Sequence, residues 1–176
     1  MGRMILPWRL YAAALTAGPL LLGHMSHAET RALPEAEVFT DWRVLCQQGE
    51  SGRTCQMLQS ASAGNAAASV FLLSISPGQV AGTSYAVVTV PVGVYLAPGI
   101  EIRVDHRRPF KALYEICDRT GCHAGFKLSG KVLDAFRQGL DAKVRVWTGQ
   151  SQAVEFPVSL RGFSAAYRYY QDQGAL

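Results

Sequence analysis

Four cysteines fall in two close pairs, Cys46 with Cys55 and Cys117 with Cys122, behind an N-terminal segment with the composition of an export leader. That arrangement points to an oxidised, exported β-domain stapled at two hairpins, and away from a cytosolic enzyme. The leader sets the compartment. Residues 1–9 carry Arg3 and Arg9 and no acid, residues 10–22 run LYAAALTAGPLLL, and Ser26-His27-Ala28 offers small residues where a signal peptidase reads. Cleavage after Ala28 is the expected outcome, which makes residues 1–28 a signal peptide. Pro19 interrupts the apolar run, which is short for a permanent span, and no cysteine lies near the cleavage point to accept a lipid.

The remaining chain, residues 29–176, is long enough for one domain with a full core. It keeps 15 Lys and Arg against 13 Asp and Glu, a formal +2. The whole-chain isoelectric point near 9.0 therefore overstates any case for a polyanion, and no nucleic-acid partner is expected. Residues 29–37 (ETRALPEAE) are polar and broken by Pro34, and read as a flexible lead-in. Residues 38–176 read as a single domain, with a small-residue loop or bulge at 61–69.

From Val38 onward the hydrophobic period is two. Val38, Thr40, Trp42, Val44 and Cys46 share one side; Ile100, Ile102 and Val104 alternate with Glu101, Arg103 and Asp105; Val154, Phe156 and Val158 alternate with Glu155, Pro157 and Ser159. Residues 70–75 and 85–90 are apolar on both sides, the pattern of central strands covered on each face. Pro77-Gly78, Pro91, Gly93, Pro98-Gly99, Pro109 and Gly149 punctuate the runs at the spacing of a sandwich. Two helices interrupt it: Ser129 is placed to cap residues 130–138, which Gly139 stops, and Ser164 to cap a terminal helix through Tyr169 and Tyr170. The tyrosines Tyr167, Tyr169 and Tyr170 suit core packing of one helical side, or a partner-binding face.

Hairpin geometry accounts for the cysteines. A turn centred on Glu50-Ser51 sets Cys46 opposite Cys55, and one over Asp118-Arg119-Thr120-Gly121 sets Cys117 opposite Cys122. Of the three possible connectivities, local pairing is expected because the turn-rich segments between partners already bring them together. Loop closure gives about 2.7 and about 2.2 kcal/mol for the two rings before strain, comparable together with the net stability of a small domain.

Three sharper readings use the same residues. Cys117 to His123 reads C-D-R-T-G-C-H, a widened form of a haem-attachment motif, but its flanks alternate like strands where a haem needs a helical wrap. A zinc site from Cys46, Cys55, Cys117, Cys122 or His123 has the ligand count without the usual knuckle spacing. Neither pair has the C-x-x-C form of a redox dithiol. No cofactor or metal is assigned. The hydrolase and phosphate-loop motifs are missing, so no enzyme is expected, although two histidines past the leader, His106 and His123, leave a hidden triad formally open. The basic group His106, Arg107, Arg108 and Lys111 is either a solvated hairpin turn or a contact for lipid phosphate, sulfated glycan or another acidic surface.

Taken in order, Asp41-Trp42-Arg43-Val44-Leu45-Cys46, Cys55-Gln56-Met57 with Gln59, Pro91-Val92-Gly93-Val94-Tyr95-Leu96 through Pro98-Gly99 to Val104-Asp105, Cys117 with Gly121-Cys122-His123-Ala124, and Pro157-Val158-Ser159-Leu160-Arg161-Gly162-Phe163 resemble the invasion-associated locus B family of bacterial exported proteins. The match runs from about residue 38 to 170. The resemblance implies an immunoglobulin-like antiparallel β-sandwich, location in the periplasm or at the outer surface, and a role linked in pathogenic relatives to host-cell entry; it transfers no catalytic residue. The expectation is thus an all-β exported protein acting through an envelope or host-surface protein, with a periplasmic binding or adaptor module for a small ligand or glycan as the alternative. In this reading the four cysteines hold the hairpins, Trp42 packs beside the first bridge, and Gly93, Gly99, Gly121 and Gly162 permit turns.

Overall fold

Alternation of apolar and polar residues builds two antiparallel sheets around one core. The structure, a computed structural model, describes residues 35–50, 52–62 and 70–174, which all belong to one unit. The export leader with its cleavage point, residues 29–34 of the lead-in and residues 63–69 of the small-residue loop lie outside the described residues. In chain order the elements are β1 (Glu35–Phe39), β2 (Trp42–Gly49), β3 (Gly52–Ser62), β4 (Val70–Pro77), β5 (Ser84–Val90), β6 (Ile100–Val104), β7 (Phe110–Ala112), β8 (Tyr114–Cys117), β9 (Cys122–Leu128), α1 (Gly130–Gln138), β10 (Asp141–Trp147), β11 (Ala153–Ser159) and α2 (Phe163–Gly174).

The larger sheet runs β1-β2-β3-β4-β5-β9-β8 and the smaller β11-β10-β6-β7. Their inner faces meet through aromatic pairs: Phe71 of β4 stacks on Phe156 of β11 at 5.3 Å, and Phe110 of β7 meets Phe126 of β9 at 5.2 Å. This is the expected all-β sandwich with two short helices and two hairpin bridges. β4 and β5 are central, yet each has one buried face and one half-buried face, so their second face is less covered than their composition suggests.

The two sheets are joined by a knot of polar groups at one carbonyl. Ser159, at the end of β11, accepts hydrogen bonds on its carbonyl from Trp42 Nε1 (3.0 Å) and Gln59 Nε2 (2.8 Å). The Gln59 amide also donates to the Asp41 carbonyl at 3.2 Å, and the Ser159 hydroxyl donates to Asp41 Oδ2 at 2.6 Å. Gln59 is only 7% exposed, so its amide would be costly to bury without these acceptors. Trp42 shares a face of β2 with Cys46, and its ring meets Phe163 of α2 edge-on at 5.1 Å.

This knot explains one correction. Residues 38–46 do not form a single strand, and the lead-in is not loose to its end. β1 and β2 pair with Phe39 opposite Trp42, and the chain reverses through Thr40 and Asp41, with Thr40 at φ 56°. Neither residue is a strong hairpin signal; the reversal is held from outside by Gln59 and Ser159 on Asp41 and by the backbone of Gly162 against the Phe39 carbonyl. Val38 is accordingly exposed at 62%.

The helices form where expected but are capped differently. Ser129 has extended geometry at the start of α1 with no side-chain cap bond, and Ser164 lies inside α2, its hydroxyl donating to the Arg137 carbonyl of α1 at 2.9 Å. That bond, the Phe136–Phe163 contact at 5.5 Å and the Arg137 guanidinium over the Tyr167 ring hold the helices together. Tyr167 and Tyr170 are buried and Tyr169 packs on Phe39, so the aromatic tail is core.

Gly162 is where the backbone has least room. Its φ is 84°, and a Cβ there would stand 2.1 Å from the Phe39 carbonyl oxygen. Gly162→Ala is expected to lower stability by about 2–4 kcal/mol, read as a lower urea midpoint at unchanged slope. Gly82→Ala, at φ 73° with open space around it, meets only the backbone strain and should lose about 1 kcal/mol. Equal losses at the two sites would remove the close approach as the cause.

Candidate functional site

The turn between β6 and β7 is a rigid platform. Asp105, at φ 46°, donates its amide to the Asp141 carbonyl at 2.8 Å, and Arg107 N donates to the Val104 carbonyl at 2.9 Å. The Asp105 carboxylate accepts from Leu140 N at 3.2 Å and Asp141 N at 3.0 Å, tying the turn to the α1–β10 connection. Arg107 Nη2 donates to Gln138 Oε1 at 3.1 Å, a second tie to the end of α1. Leu140 is therefore held by its amide, and also by its carbonyl, which accepts from Leu160 N at 2.9 Å. Its side chain nevertheless stands 65% exposed.

An open cleft lies on each side of this turn. One, of about 460 Å³, runs against α1 and is lined by Val104, Phe110, Val132 and Ala135 at its apolar base, with Arg107, Arg108 and Lys131 among its walls. The other, of about 1060 Å³, brings Arg103, His106, Arg107, Arg108 and Lys143 around Leu140, with Asp105 and Asp141 as its carboxylates. Arg103 and Lys143 are direct register partners across β6 and β10. Further along that sheet, Arg145 donates through Nε (3.0 Å) and Nη2 (2.6 Å) to one oxygen of Glu155, whose carboxyl is held below its ordinary value mainly by that hydrogen bonding.

Three members of the sequence-level basic group, His106, Arg107 and Arg108, thus share one surface. Lys111 leaves it, pairing across β7 with Glu101 and lying 6.0 Å over the Trp147 ring. Arg103, Lys131, Lys143 and Leu140 join it from segments the sequence reading did not connect.

All four cysteine sulfurs are joined in pairs, Cys46 to Cys55 and Cys117 to Cys122, with Cα separations of 4.1 and 4.0 Å. Both pairs are exact register partners, and the close spacing is that of a facing pair without its own ladder hydrogen bonds. Asp118 N donates to the Gly121 carbonyl at 2.9 Å and closes the second turn. Beside it, His123 Nδ1 and Thr89 Oγ1 lie 2.9 Å apart, and His123 Nε2 is 3.3 Å from Asp118 Oδ1. The order of hydroxyl, imidazole and carboxylate is that of a triad, but the ring is reversed, with Nδ1 rather than Nε2 toward the hydroxyl, and Thr89, next to the end of β5, is directly paired with His123. The arrangement braces the hairpin. Thr120 adds to it, donating its amide and hydroxyl to Asp118 Oδ1 at 2.7 and 2.6 Å.

Residues 42–171 match the family described as Invasion associated locus B (IalB) protein. The chain belongs to this family. It is 31% identical over 134 residues to invasion protein B homologs of Brucella abortus strain 2308 and of B. abortus biovar 1 strain 9-941, covering 74% of this chain and 75% of each relative. The crystal structure of invasion associated protein B from Bartonella henselae superposes with a TM-score of 0.68 at 20% identity, over 78% of this chain and 95% of that one, and shares the fold. The residues that carry the IalB resemblance are thus placed: Asp41, Trp42, Gln59, Ser159 and Gly162 meet at the inter-sheet knot, and the cysteines close the two hairpins.

The two bridges differ in exposure. Cys46 and Cys55 are 3% and 0% exposed, whereas Cys117 lies open on the edge strand β8. Under graded dithiothreitol with alkylation and mass spectrometry, Cys117 and Cys122 should be labelled first, because thiolate attack needs access to a sulfur; simultaneous labelling would contradict this. The hydrogen bonds from Thr120, together with His123, hold the Asp118 carboxyl down from its ordinary 3.8 to about 2. A carboxyl depressed in the folded state contributes stability above its unfolded value and loses it as pH falls through the folded one. The acid limb of stability should therefore flatten between about pH 4 and pH 2 in Asp118→Asn, measured as urea midpoint against pH; an unchanged limb would deny Asp118 that role.

Proposed function

We propose that this protein is exported to the periplasm or outer surface and acts as a rigid scaffold making protein or surface contacts, without turning over a substrate. The observation that carries this reading is the pair of bridges at register-matched strand positions. Such bonds form and persist in an oxidising compartment, and the leader-like residues 1–28 supply a route to one. Family membership supports a contact role in the envelope or in host-cell entry, since the Brucella relatives are named for invasion. The partner in this reading is an envelope or host-surface protein, or the membrane or glycan beside it. A small-ligand or glycan module is the second reading, favoured by the cleft against α1, whose volume falls in the range of ligand sites.

Cell fractionation followed by free-thiol titration tests the proposal. The exported fraction should contain the protein with no reactive thiol before reduction and four after it. Recovery only from the cytosol with four titratable thiols would overturn it.

A further inference from the structure

We infer that the face around the 105–109 turn docks on an anionic lipid bilayer, with Leu140 entering the interface and the surrounding cations meeting lipid phosphates. The inference rests on the contact reading above and names the partner's chemistry.

Five cations from four segments share this face: Arg103 of β6, Arg107 and Arg108 of the turn, Lys131 of α1 and Lys143 of β10. Among the described residues, Arg103, Arg107, Arg108 and Lys131 form no ion pair; Arg107 bonds to the neutral Gln138, and Lys143 reaches Glu155 only at 3.9 Å. Of the two carboxylates present, Asp105 is occupied by backbone amides, which leaves Asp141. Arg103 and Lys143 face each other in register, like charges whose nearby carboxylate, Glu155, is already engaged by two hydrogen bonds from Arg145.

Leu140 decides the class of anion. A sulfated glycan or a free phosphate would engage the cations alone, whereas a bilayer also takes up the exposed leucine that lines the same cleft. At a bilayer the two features act together: the apolar side chain enters below the headgroups while the cations stay at phosphate level. The backbone of Leu140 is fixed on both sides, so little freedom is lost on insertion.

Co-sedimentation of the oxidised protein with vesicles tests this, using phosphatidylcholine alone and phosphatidylcholine doped with phosphatidylglycerol. An uncleaved leader would bind both alike, so the difference between them is the readout. Binding should require phosphatidylglycerol, weaken with added salt, and fall about tenfold or more in the double variant Arg107→Glu with Arg108→Glu. Leu140→Ser should weaken it severalfold. Lys127→Glu, which changes charge on exposed β9 of the other sheet, should leave it nearly unaltered. Thiol content and the far-ultraviolet spectrum of each variant verify folding. Equal binding to both vesicles, or an equal loss in Lys127→Glu, would overturn the inference. So would an inert Leu140→Ser with binding displaced by dextran sulfate, which would assign the face to a soluble polyanion. Those results leave the exported-scaffold reading standing, whereas cytosolic protein with free thiols removes that reading whatever the vesicles do.

Discussion

One backbone carbonyl, that of Ser159, links the two sheets and sets much else in place. Trp42 and Gln59 approach it from the larger sheet, and each brings a donor that burial would otherwise leave unsatisfied. Hydrophobic contact between sheets is non-directional and would tolerate sliding or rotation; two donors converging on one oxygen do not. The consequences run outward along the chain. Leu160 follows, and its amide holds the Leu140 carbonyl. Gly162 then presses on the Phe39 carbonyl and closes the β1–β2 reversal. Phe163 packs on Trp42 and Phe136, seating both helices. The position of the basic turn, through Leu140 and Asp105, is in this sense a remote effect of the same junction.

The bridges act on a different problem. Hydrogen-bonded sheets are weakest at their ends, where a strand has a single neighbour. Cys117–Cys122 ties β8, an edge strand of only four residues with an irregular register between Tyr114 and Ile116, to β9. Cys46–Cys55 lies inside the core, one strand in from the opposite edge. The first bond holds an edge that its few hydrogen bonds alone would let fray, while the second secures the register of the pair from which Trp42 and Gln59 project. A slip of one residue there would turn the side chain of one strand, Trp42 or Gln59, away from the core.

What could be read from the chain and what could not divide along the range of the interactions. The pairing of the cysteines was legible because a hairpin's register follows from its own turn, and the partners are only nine and five residues apart. Strand faces were legible for the same reason, since period two is local. The Thr40–Asp41 reversal was not, because the groups that hold Asp41 in place include Ser159, 118 residues further on. Ser164 resembled a cap, but its hydroxyl is taken by a carbonyl of the other helix 27 residues back. At the candidate site, Arg107 and Arg108 stood out as neighbours in sequence. Arg103 and Lys143 become neighbours only through the β6–β10 pairing, and Lys111 is carried off the face because its strand register sets it against Glu101 and Trp147.

The site is also unlike the core in what fixes it. Apart from Lys143 beside Glu155, its cations have no ion-pair partner among the described residues, so their arrangement adds little to the fold and is imposed by the frame beneath. Asp105 supplies that frame: a residue at positive φ whose carboxylate is bonded to two successive amides carries backbone strain that the surrounding contacts offset. Removing its side chain would free Leu140 and Asp141 amides together and loosen the platform while leaving the sandwich, which is held elsewhere by Ser159, intact. A surface made of like charges on a strained but well-anchored turn is therefore ordered before any partner arrives, and the stability that maintains it is drawn from the inter-sheet junction rather than from the surface itself.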